Sequence, residues 1–361
     1  MIKLNKNSEP LYRWLFRNRD DLDQVVFLFI SKKNATNARF TPLFLSSNEI
    51  RIVYLLGSSL RYLDGILMYI GKKLFALEIK KSRCYKMVHV FDFNLRSSNK
   101  AQILHIDDPQ YSDLEIKKAI LWQTNLNAKG QKSILIVTNT YTRNWFIKYL
   151  DKTKIIIIEQ GFHKLDQNKV LTKRKSEPFV CAYSSNFIHY GSDRHANDST
   201  WGSSHLFDQV IPKVQLLDAT IKFCLIGELG KEAELKTRYH KNIVAHGRVS
   251  FEKNMQLLMQ CDIAIYPRLI DHKRSVLKIF SYIGADLPIV AIDLVDTEIV
   301  KRRKLGFTVQ DIDSLVKKIL ELRNSNELLT GFKENILKVK NEFTWENLAT
   351  KMESELQKFV P

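Results

Sequence analysis

Short runs rich in β-branched and aromatic residues alternate with amphipathic stretches along the whole chain, which predicts α/β domains built on mostly parallel sheets. In the first half these runs predict strands over 24–31, 50–56, 87–91, 101–106, 133–138 and 154–159. Helical periodicity falls at 59–77, 113–126 and 140–150. The polar segment 168–178 has no strong period and ends in Pro178, as a linker would. The alternation then restarts, with strands over 179–184, 221–226, 242–245, 263–266 and 289–292 and helices between them. Later helical patterns cover 315–322, 328–339 and 345–359. Two Rossmann-like units in tandem are therefore expected, over 1–167 and 179–340. The glycine-rich turn that follows the first strand of such a unit is missing, because 1–16 holds no glycine, so the first unit reads as reduced.

Composition changes this picture little. A chain of 361 residues suits two domains, and 45% apolar with 26% charged residues suits buried cores rather than disorder. Cys84, Cys181, Cys224 and Cys261 lie far apart with no CxxC pair, and three sit in apolar runs, which fits buried free thiols in a reducing compartment. No HExxH motif or paired His/Asp cluster suggests a metal. The N-terminal residues lack an apolar signal core, and the most lipid-like stretch, 55–79, is broken by Arg61, Asp64, Lys72 and Lys73. A cytoplasmic location is expected.

Charge adds more. Residues 1–173 carry 29 Lys and Arg against 15 Asp and Glu, a balance of +14, whereas 174–361 carry 27 against 24, a balance of +3. The basic half can attract nucleic acid, acidic lipid headgroups or a phosphorylated acceptor, with a lysine-rich solvated surface as the plain alternative. No recognition-helix, RRM or OB signature accompanies the charge, so nucleic acid ranks last. Leu60, Leu63, Ile66, Leu67, Ile70 and Leu74 recur at helical spacing, flanked by Lys72, Lys73, Lys80, Lys81, Arg83 and Lys86. Most of that stripe is expected to pack on a sheet, and the flanking lysines suggest peripheral attachment to an anionic membrane surface.

Five segments, in order, carry a resemblance. They are Lys154-IIIIEQ-Gly161-Phe162, then Phe223-CLI-Gly227, then Val244-Ala-His-Gly247-Arg-Val249 followed by Asp262 and Tyr266-Pro267. Lys278-IFSY-Ile283-Gly-Ala-Asp-Leu-Pro288-Ile-Val-Ala291 comes next, and Phe343-Thr-Trp345-Glu346 last. Over residues 85–360 the chain resembles retaining glycosyltransferases of family 4. The resemblance implies the GT-B fold, two Rossmann-like domains facing across a cleft, with a final helix in 341–361 crossing back to the first. It implies a UDP- or GDP-sugar donor, no metal or other cofactor, and a glycan, lipid-linked or protein acceptor, as in surface polysaccharide or glycan biosynthesis.

Candidate site residues follow from both lines of reasoning. The loop 268–277 follows a predicted strand and opens a predicted helix at 275–284, so its backbone N–H groups and the positive helix end can hold a diphosphate. Asp271, His272, Ser275 and Val276 lie on that loop. Lys278, on the helix's first turn, can meet the same phosphates as a point charge, or can be a solvated lysine. By resemblance, Arg194 occupies the loop whose arginine neutralises the leaving diphosphate, Arg248 is its rival, and Gly247 and Val249 touch the base through backbone. The family carries two glutamates eight residues apart, and the matching positions here are Lys273 and Ser281. Ser281 can still bond a hydroxyl, Lys273 inverts the charge, and Asp271 and His272 become candidates for the sugar. Asp286 stands where a glycine is usual.

In the first half, Leu104-His105-Ile-Asp107-Asp108-Pro109 resembles the His-Asp segment of the family's acceptor domain. His105 can bind a sugar hydroxyl or the leaving phosphate, and Asp107 or Asp108 can act as a general base in an inverting enzyme. Asp108-Pro109 also reads as a turn and helix cap. Two other functions compete. A GT-B-shaped binding subunit without catalysis is favoured by Lys273 and Ser281, and a GT-B sugar-nucleotide epimerase would need paired carboxylates and histidines.

Overall fold

The structure, a computed structural model, describes strand segments 2–4, 25–30, 50–55 and 87–90, and then residues 103–106, 109, 111–151, 153–162, 164, 178–193, 203–271, 273 and 275–358. The helix expected over 59–77, the lysines flanking it and the segment 168–177 lie outside these residues. The chain divides into two compact units, Met1–Glu159 with Leu348–Pro361, and Gln160–Asn347.

In the first unit β1 (Ile2–Leu4), β2 (Val25–Ile30) and β3 (Ile50–Leu55) pair in parallel in that order. A second parallel sheet holds β4 (Met87–Val90), β5 (Ile103–Ile106), β6 (Ser133–Val137) and β7 (Thr153–Ile157), also in sequence order. β1 was not expected, since three residues show no period; it lies beside β4. Helix α1 (Asp113–Asn127) begins where Ser112 Oγ accepts the Glu115 N–H at 3.3 Å, and α2 (Thr140–Phe146) where Asn139 Oδ1 accepts the Thr142 N–H at 2.7 Å. Ala119, Trp122 and Leu126 of α1 pack with Leu104 and Ile106 of β5, Leu135 and Val137 of β6, and Phe146 of α2.

The second unit holds one parallel sheet of β8 (Val180–Ile188), β9 (Lys222–Leu229), β10 (Ile243–Ala245), β11 (Ile263–Tyr266), β12 (Ile289–Ile292) and β13 (Gly306–Val309). Their spatial order is β10-β9-β8-β11-β12-β13. Alternate residues face opposite ways along a strand, so each contributes to two cores. Ala182, Cys224, Ile226, Ala264, Tyr266, Ile289 and Ala291 form one face. Cys181, Tyr183, Phe223, Leu225, Ile263, Ile265, Val290 and Ile292 form the other.

Helices cover both faces: α3 (Ile211–Leu217), α4 (Lys231–Tyr239), α5 (Phe251–Leu258), α6 (Leu277–Gly284), α7 (Glu298–Arg303), α8 (Ile312–Asn324) and α9 (Asn326–Val339). On the first face Met255, Leu257 and Leu258 of α5 join Ile279, Phe280, Tyr282 and Ile283 of α6. On the second, Ile211 and Val214 of α3 join Leu315, Val316 and Ile319 of α8. Cys181, Cys224 and Cys261 are buried thiols that form no disulfide. The last helix, α10 (Trp345–Gln357), begins in the second unit, and the division falls at Leu348. Beyond that point Lys351 Nζ lies 2.8 Å from Glu159 Oε2, and Lys154 Nζ 3.0 Å from Glu355 Oε2, both pairs within the first unit.

Three local differences from the pattern have physical reasons. The strand expected over 179–184 continues to Ile188 through an irregularity between Ser184 and Phe187, because Phe187 and Ile188 re-pair with Glu228 and Leu229. β13 was missed because Gly306-Phe-Thr-Val309 is too short to stand out; its pairing with β12 defines it. The helix expected from 275 begins at Leu277, with Val276 in extended geometry as its cap.

Two features of this unit yield tests. Gly227 has φ +152°, and a Cβ there would lie 2.0 Å from the Ser185 carbonyl oxygen, whereas at Gly247, φ +63°, nothing lies within 4 Å of an added Cβ. Gly247→Ala should cost about 1 kcal/mol of left-handed strain, and Gly227→Ala should cost more, about 2–4 kcal/mol, because the clash with backbone adds to strain. Urea unfolding of both variants checks the ordering. Separately, α4 has no cap of its own, and the Asp193 carboxylate accepts the N–H groups of Glu232 (3.0 Å), Ala233 (3.1 Å) and Tyr190 (3.0 Å). Burial alone would raise the Asp193 pKa, but those three donors outweigh it and hold the carboxyl below its usual value. Its contribution is therefore present above the unfolded carboxyl pKa and is lost as pH falls toward the depressed one. Asp193→Asn should cost about 1 kcal/mol at neutral pH, with the gap to wild type closing below about pH 4. Denaturation at a series of pH values measures it.

Candidate functional site

From β8 the chain steps outward to β9 and β10, then returns to place β11 on the other side of β8. The direction of winding reverses between β8 and β11, and in such a sheet a crevice opens at the carboxyl ends of those two strands. Asp262 sets this junction. Its backbone N–H donates to Val180 O at 2.9 Å, and its carboxylate accepts the Val180 N–H at 2.7 Å, so β11 starts in register with β8. Just past the residues where the two strands pair stand Tyr183, Ser184 and Ser185, at the irregularity in β8, and Tyr266, Pro267 and Arg268 at the end of β11.

Helix α6 is tied over this crevice by Tyr282. Its buried hydroxyl accepts the Ser184 N–H at 2.9 Å and lies 3.4 Å from Ser184 O. Ser184 Oγ in turn donates to Asn254 Oδ1 of α5 at 2.9 Å. One turn before Tyr282, Lys278 places its ammonium 3.4 Å from Ser185 Oγ, 5.0 Å from the Tyr183 ring centre and 5.5 Å from that of Tyr266. Burial raises the hydroxyl pKa of both tyrosines. Bonds to Ser203 and Ser185 pull Tyr183 the other way; Asp296 adds to the rise at Tyr266 and Arg268 opposes it. Both rings therefore stay neutral at physiological pH. Ser250, Asp311 and Ser325 cap α5, α8 and α9 through their side chains, whereas α3, α4, α6 and α7 start without a side-chain cap, so the first N–H groups of α6 are not taken by a cap of its own. A half-buried ammonium and an uncapped helix start converge on one crevice, a combination that suits an anion.

Arg268 was not singled out from the sequence beyond opening the loop, and it is the most distinctive residue here. It is 5% exposed. Its Nη1 donates to the Tyr266 hydroxyl at 3.2 Å and lies 3.6 Å from Asp296 Oδ2, and the Tyr266 hydroxyl donates to the same Asp296 oxygen at 3.2 Å. The available signal was an arginine directly after the Tyr-Pro that closes a central strand; its carboxylate partner, past the next strand, could not be chosen from sequence.

The other expected residues are placed as follows. Arg194, His272, Asp107 and Asp108 lie outside the described residues. His105 sits in the middle of buried β5 at 2% exposure, paired in register with His89. Asp271 is committed to the loop itself: one carboxylate oxygen accepts the Lys273 N–H at 2.7 Å, with Lys273 at φ +56°, and the other accepts the Val295 N–H at 3.0 Å. Ser275 and Val276 are half-buried, and Val276 packs against the core under α6. Ser281 is buried, and its hydroxyl donates back to Leu277 O at 3.3 Å. Gly247 O accepts the Gly227 N–H at 2.9 Å, which draws the ends of β9 and β10 together. Exposed Arg248 lies 3.6 Å from Glu228, and Val249 packs against the core. Asp286, at φ +60°, pairs with Lys340 at 2.7 Å. Among the described residues no group of three or more His, Cys, Asp or Glu is placed to hold a metal.

No protein-family model matches the chain, and no curated protein sequence matches it either. Solved structures do. HepE from Anabaena, in complex with UDP-glucose, matches with a TM-score of 0.62 at 13% identity, over 99% of this chain and 98% of that one. The trehalose-6-phosphate synthase OtsA matches at 0.63 and 10% identity, over 94% and 92%. The α,α-trehalose-6-phosphate synthase of Burkholderia multivorans matches at 0.58 and 9%, over 92% and 89%. These matches do not single out family 4. At such identities they carry the fold, which is α/β with Rossmann-like parallel sheets: the chain has the GT-B fold.

Proposed function

We propose that the protein is a glycosyltransferase that binds a UDP- or GDP-sugar at the carboxyl edge of the second unit's sheet. The sugar would pass to a glycan, lipid-linked or protein acceptor. The observation that carries this reading is Lys278, an ammonium held over two neutral tyrosines at an uncapped helix start, at the switch point of the sheet. HepE, which has a similar fold, is described with UDP-glucose bound. Breaking the bond between sugar and phosphate leaves added negative charge on the departing diphosphate. A fixed ammonium and backbone N–H groups can stabilise that charge without a metal or other cofactor. The family resemblance favours retention at the anomeric carbon, which NMR of the product would read directly.

A second reading, a binding subunit without catalysis, is favoured by Lys273 and Ser281. At the positions where the family carries two glutamates there is here no carboxylate, and the Ser281 hydroxyl is turned to its own helix.

A panel of UDP- and GDP-sugars separates the two readings. Release of nucleoside diphosphate on incubation supports the enzyme, and binding without release supports the subunit. Within either, Lys278→Ala should weaken nucleoside diphosphate binding by about 1–3 kcal/mol, the scale of a charge-assisted hydrogen bond. Unchanged calorimetric affinity would remove Lys278 from the site.

The acceptor side rests on charge. The +14 of residues 1–173 supports a cytoplasmic protein docked reversibly on an anionic bilayer that presents a lipid-linked acceptor, at about 1 kcal/mol for each basic residue near the surface. No helix among the described residues is long and apolar enough to cross a membrane. Flotation should recover the protein with acidic vesicles, less with neutral ones, and less again in high salt. Equal recovery from both would point to a protein or free-glycan acceptor.

A further inference from the structure

Arg268 is oddly satisfied for a buried arginine. Its Nη1 serves Tyr266 and Asp296, yet Nε and Nη2 are shielded from solvent and have no hydrogen-bond partner. Leaving two donors of a permanent cation unpaired in a protein interior is costly, and native structures rarely tolerate it without a reason. The side chain is 7% exposed and the Asp296 side chain 0%. A purely structural ion pair would be expected to turn the broad edge of the guanidinium toward its carboxylate. Here the contact with Asp296 runs to Nη1, at 3.6 Å, and the Nε–Nη2 edge, whose two N–H groups run parallel, makes no hydrogen bond. That edge matches the spacing of two oxygens on one phosphate.

The position gives the ligand its identity. Tyr266 links the two cations of the crevice, since Arg268 bonds its hydroxyl and the Lys278 ammonium lies over its ring. A diphosphate has two phosphoryl groups, and the crevice has two cationic devices on either side of one tyrosine. We propose that Arg268 is a second phosphate-binding residue, which takes one phosphoryl group of a nucleoside diphosphate side-on through Nε and Nη2 while Lys278 and the start of α6 take the other. The assignment of the ligand rests on the donor-site reading; the oxyanion site itself rests on Arg268. Asp296 and Tyr266 act as positioning residues that hold the guanidinium through Nη1 and leave the Nε–Nη2 edge for the ligand. Because the two nitrogens are shielded, binding displaces the atoms that now cover them, and the resulting low-dielectric contact is strong.

The test compares UDP with UMP by calorimetry on the full chain, in wild type, Arg268→Gln and Arg268→Lys. The lysine variant keeps a cation beside Asp296 and Tyr266 but lacks the two parallel donors, so it guards against simple misfolding; thermal unfolding of each variant is recorded alongside. Both variants should lose roughly ten- to a hundredfold in UDP affinity while UMP changes by no more than about threefold, the selectivity expected of a lost bidentate phosphate contact. Equal losses for UDP and UMP, or full UDP affinity in a folded Arg268→Lys protein, would overturn the assignment. If wild type binds neither UDP nor GDP, pyrophosphate becomes the probe. Thermal stabilisation of wild type but not of Arg268→Lys would keep the oxyanion site and reject the nucleotide reading, and no stabilisation of either would reject the site.

Discussion

The return of β11 to the side of β8 is the constraint on which the rest of the second unit depends. A parallel sheet that winds one way and then the other must leave an uncovered crevice where the two directions part, because the helices that follow β8 and β11 pack on opposite faces. The paired Val180–Asp262 bonds fix that junction at one end. The Tyr282 hydroxyl on Ser184 fixes it where the irregularity in β8 begins. With both ties made, α6 cannot slide along the sheet, and its first turn is held over the irregularity in β8 and the end of β11. The place of the proposed anion site is thus a consequence of topology, and side chains refine it.

Those side chains are arranged with restraint. Tyr183 and Tyr266 present ring faces to Lys278 while burial keeps their hydroxyls protonated, so they attract the ammonium without cancelling its charge. Arg268 is held by a fully buried carboxylate, which makes its guanidinium a fixed rather than a searching group. A charge that need not reorganise when a ligand arrives is worth more than a mobile one, and a low dielectric amplifies it. The loop between Arg268 and α6 is stiffened in a similar way: the Asp271 carboxylate bridges the Lys273 and Val295 N–H groups and holds Lys273 in left-handed geometry. Negative charge in this loop is spent on shape.

The departures from the family pattern become more coherent in this light. A glutamate at 273 or 281 would add negative charge to the loop and helix that carry Lys278; lysine and an inward-turned serine leave the local balance more positive. Affinity for the phosphates would then carry more of the binding, and specific grip on ribose and sugar less. That shift is compatible with a transferase of altered donor preference and with a binding subunit, which is why both readings remain tied to the same residues.

Much of the architecture was legible along the chain, because it is written in local signals. Continuous apolar runs marked β9, β11 and β12, the helical period marked α8, α9 and α10, and Lys278 could be placed on the first turn of a helix from its distance to the preceding strand. Each of these depends on residues within a dozen positions of one another. β1 and β13 were not legible, since three or four residues carry no period and only their partners define them. The site divided along the same line. That a loop opening a helix should follow β11, with Lys278 on the helix's first turn, came from sequence alone. That Asp271 and Ser281 are occupied by backbone partners, and that Arg268 shares Asp296 with Tyr266 across 30 residues, came only from the fold. A side chain's type is set by its codon, but whether its donors and acceptors are already satisfied depends on neighbours that only the folded structure brings within hydrogen-bond reach.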